Sequence, residues 1–192
     1  MKTPTMRAAM LCATIVAMAA CSAGSNDRYA APQDYARYWN STVDDIANVV
    51  VAVNYTTMAL NDGDRERATQ LLAYARKYAD NATGATGSAL PAAWDGSSIG
   101  ARLRRSAALL SDAVTTLRPG IDREVSGSID RAQSERERAI LDVLGATTAA
   151  RRSYARLGGR ATDLENLQSA TQRSLSRLDS MMGHDSDDDS ST

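Results

Sequence analysis

Asp34–Leu60, DYARYWNSTVDDIANVVVAVNYTTMAL, is the stretch whose reading decides the fold. Within it Tyr35, Trp39, Thr42, Ile46, Val49, Val53, Thr56 and Leu60 recur at alternating steps of four and three. That spacing lines one face of an α-helix. Pro32 lies just before the start, and Asn61-Asp62-Gly63 follows as a stop and turn. The β-branched run Val49-Val50-Val51 lowers helix propensity, so a buried strand is the alternative for that patch. The long period on both sides predicts helix.

The pattern repeats downstream. Ala68, Leu71, Leu72, Ala75, Tyr78 and Ala79 give an apolar face to a second helix over Asp64 to Asp80, capped by Asp62 or Asp64. Asn81 to Gly96 carries three glycines and a proline and reads as a loop, with Trp94 pinning it to the body. A third helix is expected from Ser97 to Leu117, stopped by Pro119-Gly120. The next segment, Ile121 to Leu157, is either one long helix with a wet middle or two helices meeting near Ser134, where Ser134-x-x-Glu137 matches a capping box. One long helix is the preferred reading. Gly158-Gly159 ends it, and a second capping box, Thr162 to Glu165, opens a last helix that closes near Met182.

Together these predict an all-α fold: an elongated antiparallel bundle of about five helices with coiled-coil-like packing, spanning residues 34–183. The 43% hydrophobic content is sufficient for a core, yet Phe is absent and much of the apolar share is Ala. Such helices approach closely and leave little room between them, so no large enclosed pocket is expected.

Residues 1–20 have a separate character. Lys2 and Arg7 precede an uncharged apolar run of thirteen residues, Ala8 to Ala20, which is signal-peptide length and too short to span a bilayer. The run ends Met18-Ala19-Ala20-Cys21. This resembles the lipobox of bacterial lipoproteins, although Met18 stands where that class usually has Leu. The resemblance implies that the Cys21 thiol receives a diacylglyceryl group and becomes the first residue of the mature protein. It implies a membrane partner through that lipid, and, in a diderm host of the enteric type, sorting to the outer membrane. The alternative is an ordinary secretory signal cut after Ala17-Met18-Ala19, leaving a free thiol. Residues 21–33 then form a short polar tether, and 184–192 (HDSDDDSST) a solvated acidic tail.

Removal of residues 1–20 leaves 20 basic against 23 acidic groups, a net of −3, which argues against a nucleic-acid partner. With Cys12 in the signal, one mature thiol remains and no internal disulfide can form. The lone His184 sits in the acidic tail, and no HExxH, GxSxG or phosphate-binding glycine loop is present. No catalytic residue, cofactor or metal is expected. Asp185, Asp187 and Asp189 imitate the start of a calcium loop, but the sixth position is Ser190 and no Glu follows at the twelfth.

Three groups remain as candidate contact surfaces. Tyr35, Tyr38 and Trp39 crowd one face just after the tether and read as core, or as an aromatic patch for a partner or the membrane surface. Arg131, Arg136 and Arg138 lie in the charged stretch Asp130 to Arg138, which breaks its own apolar stripe; projection past the other helices toward another envelope protein accounts for that, as does an overhang without a role. Arg102, Arg104 and Arg105, with Arg151, Arg152, Arg156 and Arg160, form two basic clusters, read as solvated faces or as contacts to anionic headgroups. The expectation is a non-enzymatic envelope lipoprotein acting as a protein-interaction or structural module. The alternatives are a small-ligand carrier with a bundle cavity and a phage- or plasmid-type exclusion or immunity lipoprotein.

Overall fold

The computed structural model describes residues 31–122 and 126–183; Cys21, most of the tether and the acidic tail lie outside the described residues. The described chain forms five α-helices, one short 3-10 turn (Ala161–Asp163) and no strand: α1 (Pro32–Asn61), α2 (Arg65–Ser88), α3 (Ser98–Asp122), α4 (Ser126–Arg156) and α5 (Leu167–Gly183). The protein is an all-α bundle. At 31 residues, α4 is about 46 Å long.

Helix α1 is the axis. It touches each of the other four helices, and Ile46 to Val53 are buried without interruption. A helix apolar on all sides is stable only when surrounded. That environment settles the β-branched patch: each Val costs several tenths of a kcal/mol in propensity, roughly 0.5, against about 1.5 kcal/mol or more from burial.

Hydrogen bonds fix the directions. Between α3 and α4, Ser106 Oγ donates to the Ala139 carbonyl (3.2 Å) and Thr116 Oγ1 to the Glu135 carboxylate (3.4 Å), so the two run antiparallel. Tyr74 meets Asn48 and Tyr38 meets Ala85, which sets α2 antiparallel to α1. Asn40 binds Glu165 and Asn48 binds Ser174, so α5 returns alongside α1 in the same sense. The order is up, down, up, down, up.

Several boundaries differ from the sequence expectation. Helix α2 continues to Ser88, into the first half of the segment expected as a loop, because Ala82 and Thr86 extend its buried face while Gly84 and Gly87 fall on the solvent side; the loop is confined to 89–97. Pro119 does not stop α3: it forfeits one helical hydrogen bond, and the following turn is held where Gly120 packs close to Leu60 and Ser128. Helix α4 runs unbroken through Ser134, with Ala132, Glu135 and Ala139 all buried. The box at Thr162 yields only the 3-10 turn. Leu164 is held extended because Glu165 N–H donates to Asn40 Oδ1 (2.8 Å) and the Glu165 carbonyl accepts from Trp39 Nε1 (2.8 Å). Asn166 caps α5 instead, accepting from Ser169 N–H at 2.8 Å. The two expected glycine stops hold. Gly63 (φ 75°) lets Asp64 N–H reach the Ala59 carbonyl, and Gly158 (φ 87°) lets Gly159 N–H reach that of Tyr154.

Candidate functional site

The aromatic group after the tether is interior. Trp39 is fully buried, and Tyr35 and Tyr38 are each 7% exposed. All three rings stand edge-on to Trp94 with centroids 5.4–6.1 Å apart. Trp94 Nε1 donates to Ser153 Oγ (3.1 Å) and Tyr38 Oη to the Ala85 carbonyl (3.1 Å). This cluster ties the start of α1 to the end of α2, the 89–97 loop and the end of α4. It is a packing centre and not a partner patch, because its rings are buried and the polar tips of Tyr38, Trp39 and Trp94 are bonded within the chain.

The charged stretch of α4 also packs against its neighbours. Arg131 pairs with the buried Glu135 (2.8 Å), which also accepts from Thr116 on α3. Arg136 reaches across to Asn54 on α1, and its Nε is buried without a partner among the described residues. Neither arginine overhangs the bundle. Arg138 is exposed, and beyond it on the same outer face Leu141 and Leu144 are 66% and 50% exposed. Arg131 is exposed too but held by Glu135, so of the three Arg138 alone is both open and without an ion pair among the described residues.

The first basic cluster is paired within the chain, whereas in the second only Arg160 has an ion pair among the described residues. Arg102 and Arg105 bracket Asp142, holding its carboxyl below the usual carboxylate range through the Arg105 hydrogen bond first, against a smaller opposing effect of burial. Arg104 pairs with Asp95 and donates to the Thr86 carbonyl. Arg151 donates to the Leu164 carbonyl and Arg160 pairs with Asp163. Arg152 and Arg156 remain exposed.

Sequence reasoning missed a polar seam between α1, α2 and α5. Asn48, fully buried, accepts at Oδ1 from Tyr74 Oη and Ser174 Oγ, both at 2.8 Å, and donates from Nδ2 to the Asp44 carbonyl (2.9 Å). Asp44 is gripped by Arg173 (3.0 Å) and Arg177 (2.7 Å) from α5. Burial raises the Asp44 carboxyl pKa, but hydrogen bonds and charge from the two arginines together outweigh it and hold the group below its ordinary value. Asp45 next to it is raised, by burial first. Burial also pushes the Tyr74 phenol up. Ser174 hands its proton to an amide and not to a base, and the arrangement serves to hold helices in register. The available signal was a lone Asn inside an otherwise apolar run.

A groove of about 670 Å³ lies between α2 and α3, open to solvent along its length. Leu72, Ala79, Val114 and Ile121 form its floor, and Arg76, Asp80 and Arg118 stand on its rim. Neither arginine is within ion-pair distance of a carboxylate among the described residues. Among those residues no group of three His, Cys, Asp or Glu is placed to hold a metal, and no helix is long and apolar enough to cross a membrane.

Comparison with protein-family models, with curated proteins and with solved structures returns no match for this chain.

Proposed function

We propose that this protein is a cell-envelope lipoprotein, held at a bacterial membrane by lipid on Cys21, whose helical domain is a non-enzymatic protein-interaction or structural module. The observation that carries this reading is the order of residues at the start of the chain: two cations, then thirteen uncharged residues ending Met18-Ala19-Ala20, then Cys21. Lipidation needs a thiol nucleophile, and the small residues before it let a peptidase reach the bond. Two acyl chains anchor stably, since each buried methylene contributes ~0.8 kcal/mol. A tether of about a dozen residues reaches at most ~40 Å, which keeps the domain close to its bilayer.

The interaction role rests on the arrangement of charge. Eight of the described arginines are held in intramolecular ion pairs, while Arg76, Arg118 and Arg138 are among those that face solvent, and these three stand next to apolar ground. Metabolic labelling with a palmitate analogue tests the anchor. Cys21→Ala abolishes the label and releases or stalls the protein, and Cys12→Ala leaves labelling intact. Unchanged labelling of Cys21→Ala would falsify the reading.

A further inference from the structure

The α2–α3 groove has a layout that specifies its occupant. The two helices are tied at one end by Arg104 Nε, which donates to the Thr86 carbonyl (3.2 Å). Ten residues back along α2 from Thr86 is Arg76, and ten forward along α3 from Arg104 is Val114, so antiparallel helices bring these two level. Arg118 lies one turn further along the opposite wall, ~6 Å by helical rise. The groove extends from Thr69 and Ile121 at one end to Ala79 and Ser111 at the other. The two arginines therefore stand on opposite walls, staggered by about one turn on either side of the groove's middle, with apolar floor on both sides.

Each feature of the occupant follows. Two cations without carboxylate partners, from opposite walls, call for one or two anionic groups between them, and the fork of Arg suits a carboxylate. Asp80, one turn from Arg76 on the same wall, adds a single opposing charge and leaves the groove net positive. Apolar ground on both sides of the cations calls for apolar side chains flanking the anion. A single-tailed amphiphile carries its charge at one end and matches this poorly. Both walls are helices whose backbone groups are already paired, so an extended peptide would find no backbone partner there and its N–H and C=O groups turned to the floor would go unmet. A helix arrives with them satisfied. The groove runs about three turns, the length over which a guest helix presents anchors at i, i+4 and i+7.

We propose that the α2–α3 groove receives an acidic amphipathic helix of a partner protein, its carboxylates set between Arg76 and Arg118 and its apolar side chains on Leu72, Val114 and Ile121. This rests on the interaction reading above and names its surface and the chemistry of the partner.

Site-specific photocrosslinking in cells tests it, using the full-length protein with a photoreactive residue at Ala73 or Thr115 in the groove, or at Leu141 on α4 as a separate site. The expected result is a protein adduct from both groove positions whose crosslinked segment, sequenced by mass spectrometry, is an amphipathic helix bearing acidic residues. Arg76→Gln with Arg118→Gln should cut that adduct ~10-fold, the effect of losing about 1.4 kcal/mol of charge pairing. Circular dichroism melting of the same double variant should be unchanged, which separates lost docking from lost folding. A groove adduct to lipid alone, to a segment without acidic residues, or one indifferent to the double substitution overturns the proposal. Adducts from Leu141 but none from the groove overturn it while leaving the interaction reading in place. Protein adducts from neither face sink both.

Discussion

Asn48 on α1 and Ser174 on α5, 126 positions apart in sequence, are joined by a 2.8 Å hydrogen bond in the interior of the bundle. Tyr74 from α2 donates to the same amide oxygen. One buried side chain thus sets the register of three helices. Asn48→Ala strands two hydroxyls, and a buried donor left unmet costs about 1–3 kcal/mol. We expect Asn48→Ala to lower stability by about 2–4 kcal/mol in urea unfolding, and Tyr74→Phe, which removes one donor only, by about 1 kcal/mol. Equal losses in the two variants would show that the seam does not converge on Asn48.

The carboxyl groups of Asp44 and Asp142 titrate below their ordinary range in the folded chain. A carboxyl depressed on folding stabilises above its unfolded pKa, near 3.9, and loses that contribution as pH falls through the folded value. Stability should therefore decline as the medium is acidified from about pH 5 downward. Asp44→Asn and Asp142→Asn should each be less stable at pH 7 and show a shallower acid decline. Asp45 is raised and has the opposite sign: Asp45→Asn should gain stability at pH 7, with the gain vanishing in acid. Parallel melting curves from pH 3 to 7 check all three.

Glycine positions offer a test of packing independent of charge. A Cβ on Gly100 would lie 2.5 Å from the Trp94 carbonyl oxygen and 2.7 Å from a Leu90 methyl carbon. The oxygen is backbone and cannot swing away, so Gly100→Ala should cost about 1–3 kcal/mol through overpacking. A Cβ on Gly84, inside α2, meets nothing within 4 Å. Gly84→Ala should gain about 0.5–1 kcal/mol from propensity and reduced unfolded-state entropy. Thermal denaturation of the pair should shift in opposite directions.

The three arginines of the α4 stretch should separate on charge reversal. Arg136→Glu sets a carboxylate against Asn54 in a half-buried site and should destabilise by about 2–3 kcal/mol. Arg131→Glu faces Glu135 and should cost less, because Arg131 is mostly in water. Arg138→Glu should stay within about 0.5 kcal/mol of the parent. Differential scanning calorimetry on the single variants distinguishes this order from three equal effects, which would mean that the stretch is an overhang.

Helix existence and the glycine stops were legible because both are local: period sets the first and positive φ the second. The extent of α2 was hidden because Gly84 and Gly87 read as breakers, and only burial of Ala82 and Thr86 against α1 and α3 shows why they are tolerated. The start of α5 was misplaced because Thr162 to Glu165 has the right capping letters, while the contacts that hold it extended come from Trp39 and Asn40, about 125 residues away. The groove was not legible at all: Arg76 and Arg118 belong to different helices, and their place on one groove depends on the register that Arg104 fixes at Thr86. Tyr35, Tyr38 and Trp39 were legible as one helical face and as core, but not that Trp94 is the ring they pack against.

Intact-mass spectrometry of the protein purified from membranes bears most directly on the anchored-module account. It predicts a chain that begins at Cys21, lacks residues 1–20, and carries the added mass of a diacylglyceryl group localised to Cys21 by fragmentation. A chain that retains Met1, or one cut after Ala19 with Cys21 as a free thiol, would contradict it.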